Sequence, residues 1–132
     1  QGWVAHFLIS SIMGKPVTIF GDGKQVRDVL FVEDLIKAYD LFIKSGLKNE
    51  VYNIGGGPDN TISLIEFVKA IERKTGKGMK TSFDDWRPSD QKVYISDISR
   101  VKENLGWTPS VSPEKGIDRL IGWIESNKGF FK

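Results

Sequence analysis

Short extended apolar runs alternate with amphipathic helical stretches along nearly the whole chain, and glycine or proline marks most of the changes between them. Apolar side chains return every three or four positions through Leu35, Ile36, Tyr39, Phe42 and Ile43. They do so again through Leu64, Ile65, Val68 and Ile71, and through Ile117, Leu120, Ile121 and Ile124. A one-sided helix of this kind is stable only when another layer covers its apolar face. Val17-Thr18-Ile19-Phe20, Val26 to Val32, Val51 to Ile54, Lys80 to Phe83 and Val93 to Ile95 read as short strands. With an opening helix from Trp3 to Met13 and another from Ile98 to Leu105, the pattern is α/β, with about five helices and four or five strands. It excludes a helical bundle and a β-sandwich. Local chemistry fixes several boundaries: Ser63 and Glu66 have capping-box spacing, Ser112 precedes Pro113 as an N-cap, and Gly46, Gly76 and Gly106 end helices. Residues 1–127 read as one domain and residues 128–132, Lys-Gly-Phe-Phe-Lys, as a flexible tail.

Composition removes whole classes of function. Nineteen Lys plus Arg against seventeen Asp plus Glu leave a net charge of +2 over 132 residues, too little for a nucleic-acid footprint. With no Cys and one His, disulfide frameworks, thiol catalysis and ordinary structural zinc sites are excluded, and no metal is expected. No window is apolar enough to span a membrane and no signal peptide is apparent, so the expected compartment is the cytoplasm. The chain opens on Gln1-Gly2-Trp3 without an initiator Met, as expected of a piece cut from a longer protein.

Most familiar catalytic patterns are missing. His6, between Ala5 and Phe7 on the opening helix, suits a packed or surface histidine better than a catalytic base. Gly76-Lys77 lacks the Ser or Thr and the glycine spacing of a Walker loop. Gly55-Gly56-Gly57 follows an apolar run and precedes a helix, as in a dinucleotide-binding unit. However, Asn60 stands where a third small residue belongs, and the helix begins too late. Those glycines serve either a turn or a close approach to a ligand. Arg27 and Arg87, each beside turn residues, could together hold a diphosphate bidentately, or each could pair with a neighbouring Asp. Asp90 has only acceptors to offer when ionised, which suits ribose hydroxyls. Phe20 and Trp86 could stack on a base or fill core. Asn53, in an apolar run, must bond either to neighbouring backbone or to a ligand oxygen.

Several motifs occur together in one order. They are Gly-Lys-Pro-Val-Thr-Ile-Phe-Gly-Asp-Gly with Arg27-Asp28, Val32-Glu33-Asp34-Leu35, Tyr52-Asn53-Ile54-Gly55-Gly56, Arg87-Pro88-x-Asp90 and Leu105-Gly106-Trp107-Thr108-Pro109. In this the chain resembles the carboxy-terminal, substrate-binding part of the extended short-chain dehydrogenases/reductases, the NAD-dependent nucleotide-sugar epimerases and dehydratases. The segments Asn-Ile-Gly-Gly-Gly-Pro-Asp-Asn-Thr-Ile-Ser-Leu and Asp-Trp-Arg-Pro-Ser-Asp-Gln-Lys-Val-Tyr are most similar to the CDP-paratose (CDP-tyvelose) 2-epimerase subgroup. UDP-sugar 4-epimerases and dTDP-sugar 4,6-dehydratases are the alternatives, and a non-catalytic nucleotide-binding or interaction module is a third reading.

The resemblance implies a Rossmann-type enzyme whose N-terminal dinucleotide-binding half is absent from this chain, so that NAD binds elsewhere and this piece alone is inactive. It implies Val17 and Phe20 beside the base, Arg27 and Arg87 on the diphosphate, Asp90 near the ribose, and Asn53 shaping or touching the same pocket. It implies as partners a nucleotide-diphosphate sugar and the N-terminal half, with a homo-oligomer possible. The family's Tyr-x-x-x-Lys fails at Tyr39, Tyr52 and Tyr94, so no catalytic or cofactor-binding residue is assigned.

Overall fold

The computed structural model describes residues 2–131. Among the described residues there are five α-helices, α1 (Trp3–Ile12), α2 (Val32–Ser45), α3 (Leu64–Thr75), α4 (Ser99–Leu105) and α5 (Pro113–Ser126). The strands are β1 (Val17–Phe20), β2 (Val26–Asp28), β3 (Thr61–Ser63), β4 (Thr81–Asp84) and β5 (Val93–Tyr94). The chain divides into two compact units, although its sequence reads as a single domain. One comprises Gln1–Gln25, Ser63–Lys92 and Glu114–Lys132, and the other Val26–Ile62 and Val93–Pro113.

In the first unit β1 and β4 pair in parallel, Val17 opposite Thr81 and Phe20 opposite Asp84. Parallel strands need a long crossover, and α3 supplies a helical part of it. The start of α3 follows from local chemistry. Ser63 Oγ accepts from Glu66 N at 3.2 Å and Glu66 Oε2 accepts from Ser63 N at 2.8 Å, a complete capping box. The Glu66 carboxyl is held below its usual pKa by those Ser63 bonds. Phe67 and Ile71 on α3 are buried, as are Phe7 and Leu8 on α1. Trp3 meets Phe67 edge-on with ring centroids 4.9 Å apart. On the outer side Lys74 bonds Asp118 of α5 at 2.6 Å and Glu114 at 3.0 Å. The stretch read as a flexible tail instead forms a 3-10 turn over Lys128–Phe131, with the Phe131 ring 6.0 Å from that of Trp123. Lys132 lies outside the described residues.

In the second unit the sheet order is β3-β2-β5, with β2 and β5 parallel. A small core joins Ala38 of α2, Val101 of α4 and Trp107, with Leu30, Tyr52, Ile54, Ile98 and Leu105 packed around it. Two strand expectations are corrected here. The run from Val26 to Val32 is strand only as far as Asp28, because Val29 N bonds Asn60 O at 2.9 Å and α2 begins at Val32. Val51 to Ile54 forms no strand. It has no ladder partner, and the Val51 carbonyl accepts instead from Arg100 Nη1 at 2.8 Å.

Candidate functional site

The expected site residues fall into both units. In the first, alternation along β1 turns Val17 into the core at 1% exposure, so its contribution to any site is confined to backbone. Phe20, at the end of β1, is half-buried. The guanidinium carbon of Arg87 lies 3.8 Å above the centre of its ring, a close cation–π contact. Arg87 is exposed and makes no ion pair among the described residues, so its charge is not spent on a carboxylate. The reading of Arg87 as half of a structural Asp pair is thereby excluded. Asp90, partly buried, closes the turn after Arg87 through its amide, which bonds Arg87 O at 3.1 Å. Within that turn Ser89 adopts a left-handed φ of 64°, a strain of the kind that clusters at binding loops.

Gln25 belongs with this group and was not singled out from the sequence. Its Nε2 donates to the Phe20 carbonyl at 2.7 Å while its Oε1, fully buried, has no partner. The glutamine therefore closes the turn that carries Phe20, a role invisible in a motif whose evident features are glycine and charge.

In the second unit Arg27 stands opposite Tyr94 in the β2–β5 register, and its Nη1 donates to the Val26 carbonyl at 2.8 Å. Asn53 is exposed, which removes the premise that its amide is buried in a strand and must be satisfied there. The residue that shapes the glycine turn is Asp28, whose Oδ2 accepts from Gly57 N at 3.0 Å. The bare backbone of that loop approaches its own chain rather than a ligand. A Cβ at Gly56 would lie 2.2 Å from the Val29 carbonyl oxygen, and one at Gly55 would lie 2.2 Å from Ser96 Oγ. A dinucleotide pyrophosphate does not fit there: the space is filled and a carboxylate already occupies the amide it would need. The loop is a structural turn.

A cleft of about 670 Å³ in the second unit is lined by Gly56, Asn60, Ser96, Asp97, Lys102 and Thr108 among others, and by none of the six expected residues. Of its two acids, Asp59 and Asp97, the second is already engaged, since Asp97 Oδ1 accepts from Ser99 N at 2.9 Å and the Ser99 hydrogen bonds hold its pKa down. No cluster of three or more metal-ligating side chains occurs among the described residues, and no helix among them is long and apolar enough to cross a membrane.

Two of the sequence motifs turn out to build one buried junction. Asp34, at 0% exposure in the first turn of α2, accepts from Ser110 N and Val111 N, both at 2.9 Å, from Ser110 Oγ at 2.6 Å, and from Lys37 Nζ at 3.0 Å. Trp107 Nε1 donates to the Asp34 carbonyl at 2.9 Å. Burial alone would raise the carboxyl's pKa. The bonds from Ser110, Lys37 and the Val111 and Ser110 amides outweigh it and hold the pKa at about 2.

The chain matches the family described as GDP-mannose 4,6 dehydratase over residues 4–120. It belongs to this family of extended short-chain dehydrogenases/reductases, the nucleotide-sugar epimerases and dehydratases. Within the epimerase/dehydratase family, a CDP-paratose 2-epimerase of Salmonella typhi is 36% identical and aligns over 96% of this chain and 39% of its own length. The UDP-glucose 4-epimerase of Thermotoga maritima, solved with UDP-glucose, superposes with a TM-score of 0.87 at 33% identity, over 96% of this chain and 40% of that one. A UDP-glucuronic acid 4-epimerase from Bacillus cereus, solved with UDP-glucuronic acid and NAD, superposes with a TM-score of 0.85 at 29% identity, again over 96% and 40%. The chain thus spans about two fifths of the length of these family members.

Proposed function

We propose that this chain is the nucleotide-sugar-binding portion of an NAD-dependent nucleotide-sugar epimerase of the CDP-paratose 2-epimerase kind, cytoplasmic and inactive by itself. The observation that carries the reading is Arg87, a permanently charged, unpaired guanidinium braced on Phe20 beside the Asp90 turn, in a chain of the epimerase/dehydratase family. Such a group presents fixed donors to a diphosphate at any physiological pH. Asp90 and the β1 backbone of the first unit belong to the proposed grip, and Arg27 and Asn53 of the second unit are proposed as further contacts of the nucleotide sugar. The nucleotide is the non-reacting end of the substrate, and holding it lets binding energy position the sugar for a reaction conducted elsewhere. The proposed partner for that reaction is the N-terminal dinucleotide-binding half of the same protein, and residues 1–127 are proposed to act together as the substrate domain.

Arg87→Ala in the parent enzyme is expected to weaken nucleotide-sugar binding at least tenfold by calorimetry, since a charge-assisted hydrogen bond contributes about 1.5 to 3 kcal/mol. Unchanged affinity refutes the role. The likeness to the Thermotoga maritima UDP-glucose 4-epimerase supports a second reading, a UDP-sugar 4-epimerase or a related dTDP-sugar dehydratase. Titrating CDP-, UDP- and dTDP-sugars into the parent enzyme separates the two, with the CDP sugar binding most tightly under the first.

A further inference from the structure

We propose that the nucleotide base stacks on Trp86 and not on Phe20, and that Phe20 acts as a positioning residue for Arg87. The inference rests on the nucleotide reading above and assigns its two aromatic side chains different tasks.

At 3.8 Å from the ring centroid the Arg87 guanidinium is in van der Waals contact with the Phe20 face. A base cannot enter that space without removing the cation, and removing it would discard the anchor that the diphosphate needs. The backbone that carries Phe20 is held as well, because its carbonyl accepts from Gln25 Nε2 at 2.7 Å. A ring held this way restricts the orientations of a long, flexible arginine before ligand arrives, which lowers the entropy lost on binding.

Trp86 has the opposite arrangement. A Cβ added to Gly21 would lie 2.5, 2.6 and 2.8 Å from Cε2, Cδ2 and Cε3 of the indole. The Cδ2–Cε2 bond is the fused bond in the interior of the ring system, so an approach about equally near to both of its atoms comes over a face. One face therefore rests on a glycine that no other residue could replace, for Gly21 also has a left-handed φ of 82°. The residue remains 38% exposed, so part of it is open to a ligand. Lys92 Nζ lies 5.8 Å from the ring centroid, at the outer limit of cation–π contact and on an exposed, movable side chain. Trp86 and Arg87 are consecutive, their Cα atoms about 3.8 Å apart. One ligand can reach both, with its aromatic end on the indole and its anionic end on the guanidinium.

Stacking of this kind is tolerant of base identity, so Trp86 supplies affinity and leaves base choice to other contacts. The test is a titration of the parent enzyme with cytidine diphosphate, uridine diphosphate and cytidine, followed by calorimetry and tryptophan fluorescence. Trp86→Ala is expected to weaken both diphosphates and cytidine about tenfold, and Trp86→Phe, which keeps an aromatic face, to restore most of the loss. Phe20→Leu is expected to weaken the diphosphates while leaving cytidine unchanged, because its effect passes through Arg87. If Trp86→Ala binds all three like the unsubstituted parent enzyme, or if Phe20→Leu weakens cytidine, the assignment is overturned. If the unsubstituted parent enzyme binds neither diphosphate, the nucleotide reading itself falls and takes this inference with it.

Discussion

Asp34 and Arg87 show how charge is used in two ways in one small chain. Asp34 is buried and saturated with donors, and it ties the start of α2 to Ser110 and Val111, 76 and 77 positions away. Arg87 is exposed and carries its charge unspent. The pH dependence of stability follows from the first. The Asp34 pKa falls from an ordinary 3.8 to about 2 on folding, so the folded state binds fewer protons between those values. Its contribution, about 2 kcal/mol, is fully present above pH 4 and is lost as pH falls through 2. Asp34→Ala leaves buried amide donors without acceptors and is expected to cost about 3 kcal/mol, with the acid-dependent part of that loss abolished. Urea denaturation at pH 7 and pH 3 checks both, and equal stability differences at the two pH values would contradict them. Asp34 was legible in the sequence as a member of a family motif, whereas its role was not, because its partners lie so far along the chain.

The five helices follow closely from local pattern, and α3 is the clearest case because its capping box needs only residues 63 and 66. Ser63→Ala is expected to destabilise the first unit by about 1 kcal/mol, with Ser63→Asp retaining most of it, as measured by thermal melting. The strands were less legible. A helix satisfies its own backbone, whereas an extended segment becomes a strand only when a neighbour accepts its hydrogen bonds. That is why Val51 to Ile54, apolar enough for a strand, is none, while Thr61–Ser63, with little pattern of its own, pairs as β3. The glycine turn is a similar case. Its composition allowed a turn or a ligand contact, and only the positions of Asp28, Val29 and Ser96 decided between them.

At the scale of the whole molecule, a row of large apolar side chains stays exposed. On α2, Val32, Ile36, Tyr39 and Ile43 repeat every three or four residues and each is more than half exposed, as is Val51 nearby in sequence. Exposure on this scale is unusual for a surface facing only water. The chain is therefore expected to bind a hydrophobic dye such as ANS in its native state, and the double substitution Ile36→Glu, Ile43→Glu to reduce that fluorescence severalfold with the far-UV spectrum unchanged. An undiminished signal would place the apolar surface elsewhere. The amino-acid sequence by itself determined the α/β class, the helices with the capping box of α3, the absence of thiol chemistry and the family, since each rests on residues close together or on motifs in order. Tertiary structure alone decided that Asp28 closes the glycine turn, that Asp34 joins two distant motifs, and that Phe20 carries Arg87. Each of these is a contact between segments remote in sequence, and no local preference specifies which remote group will arrive.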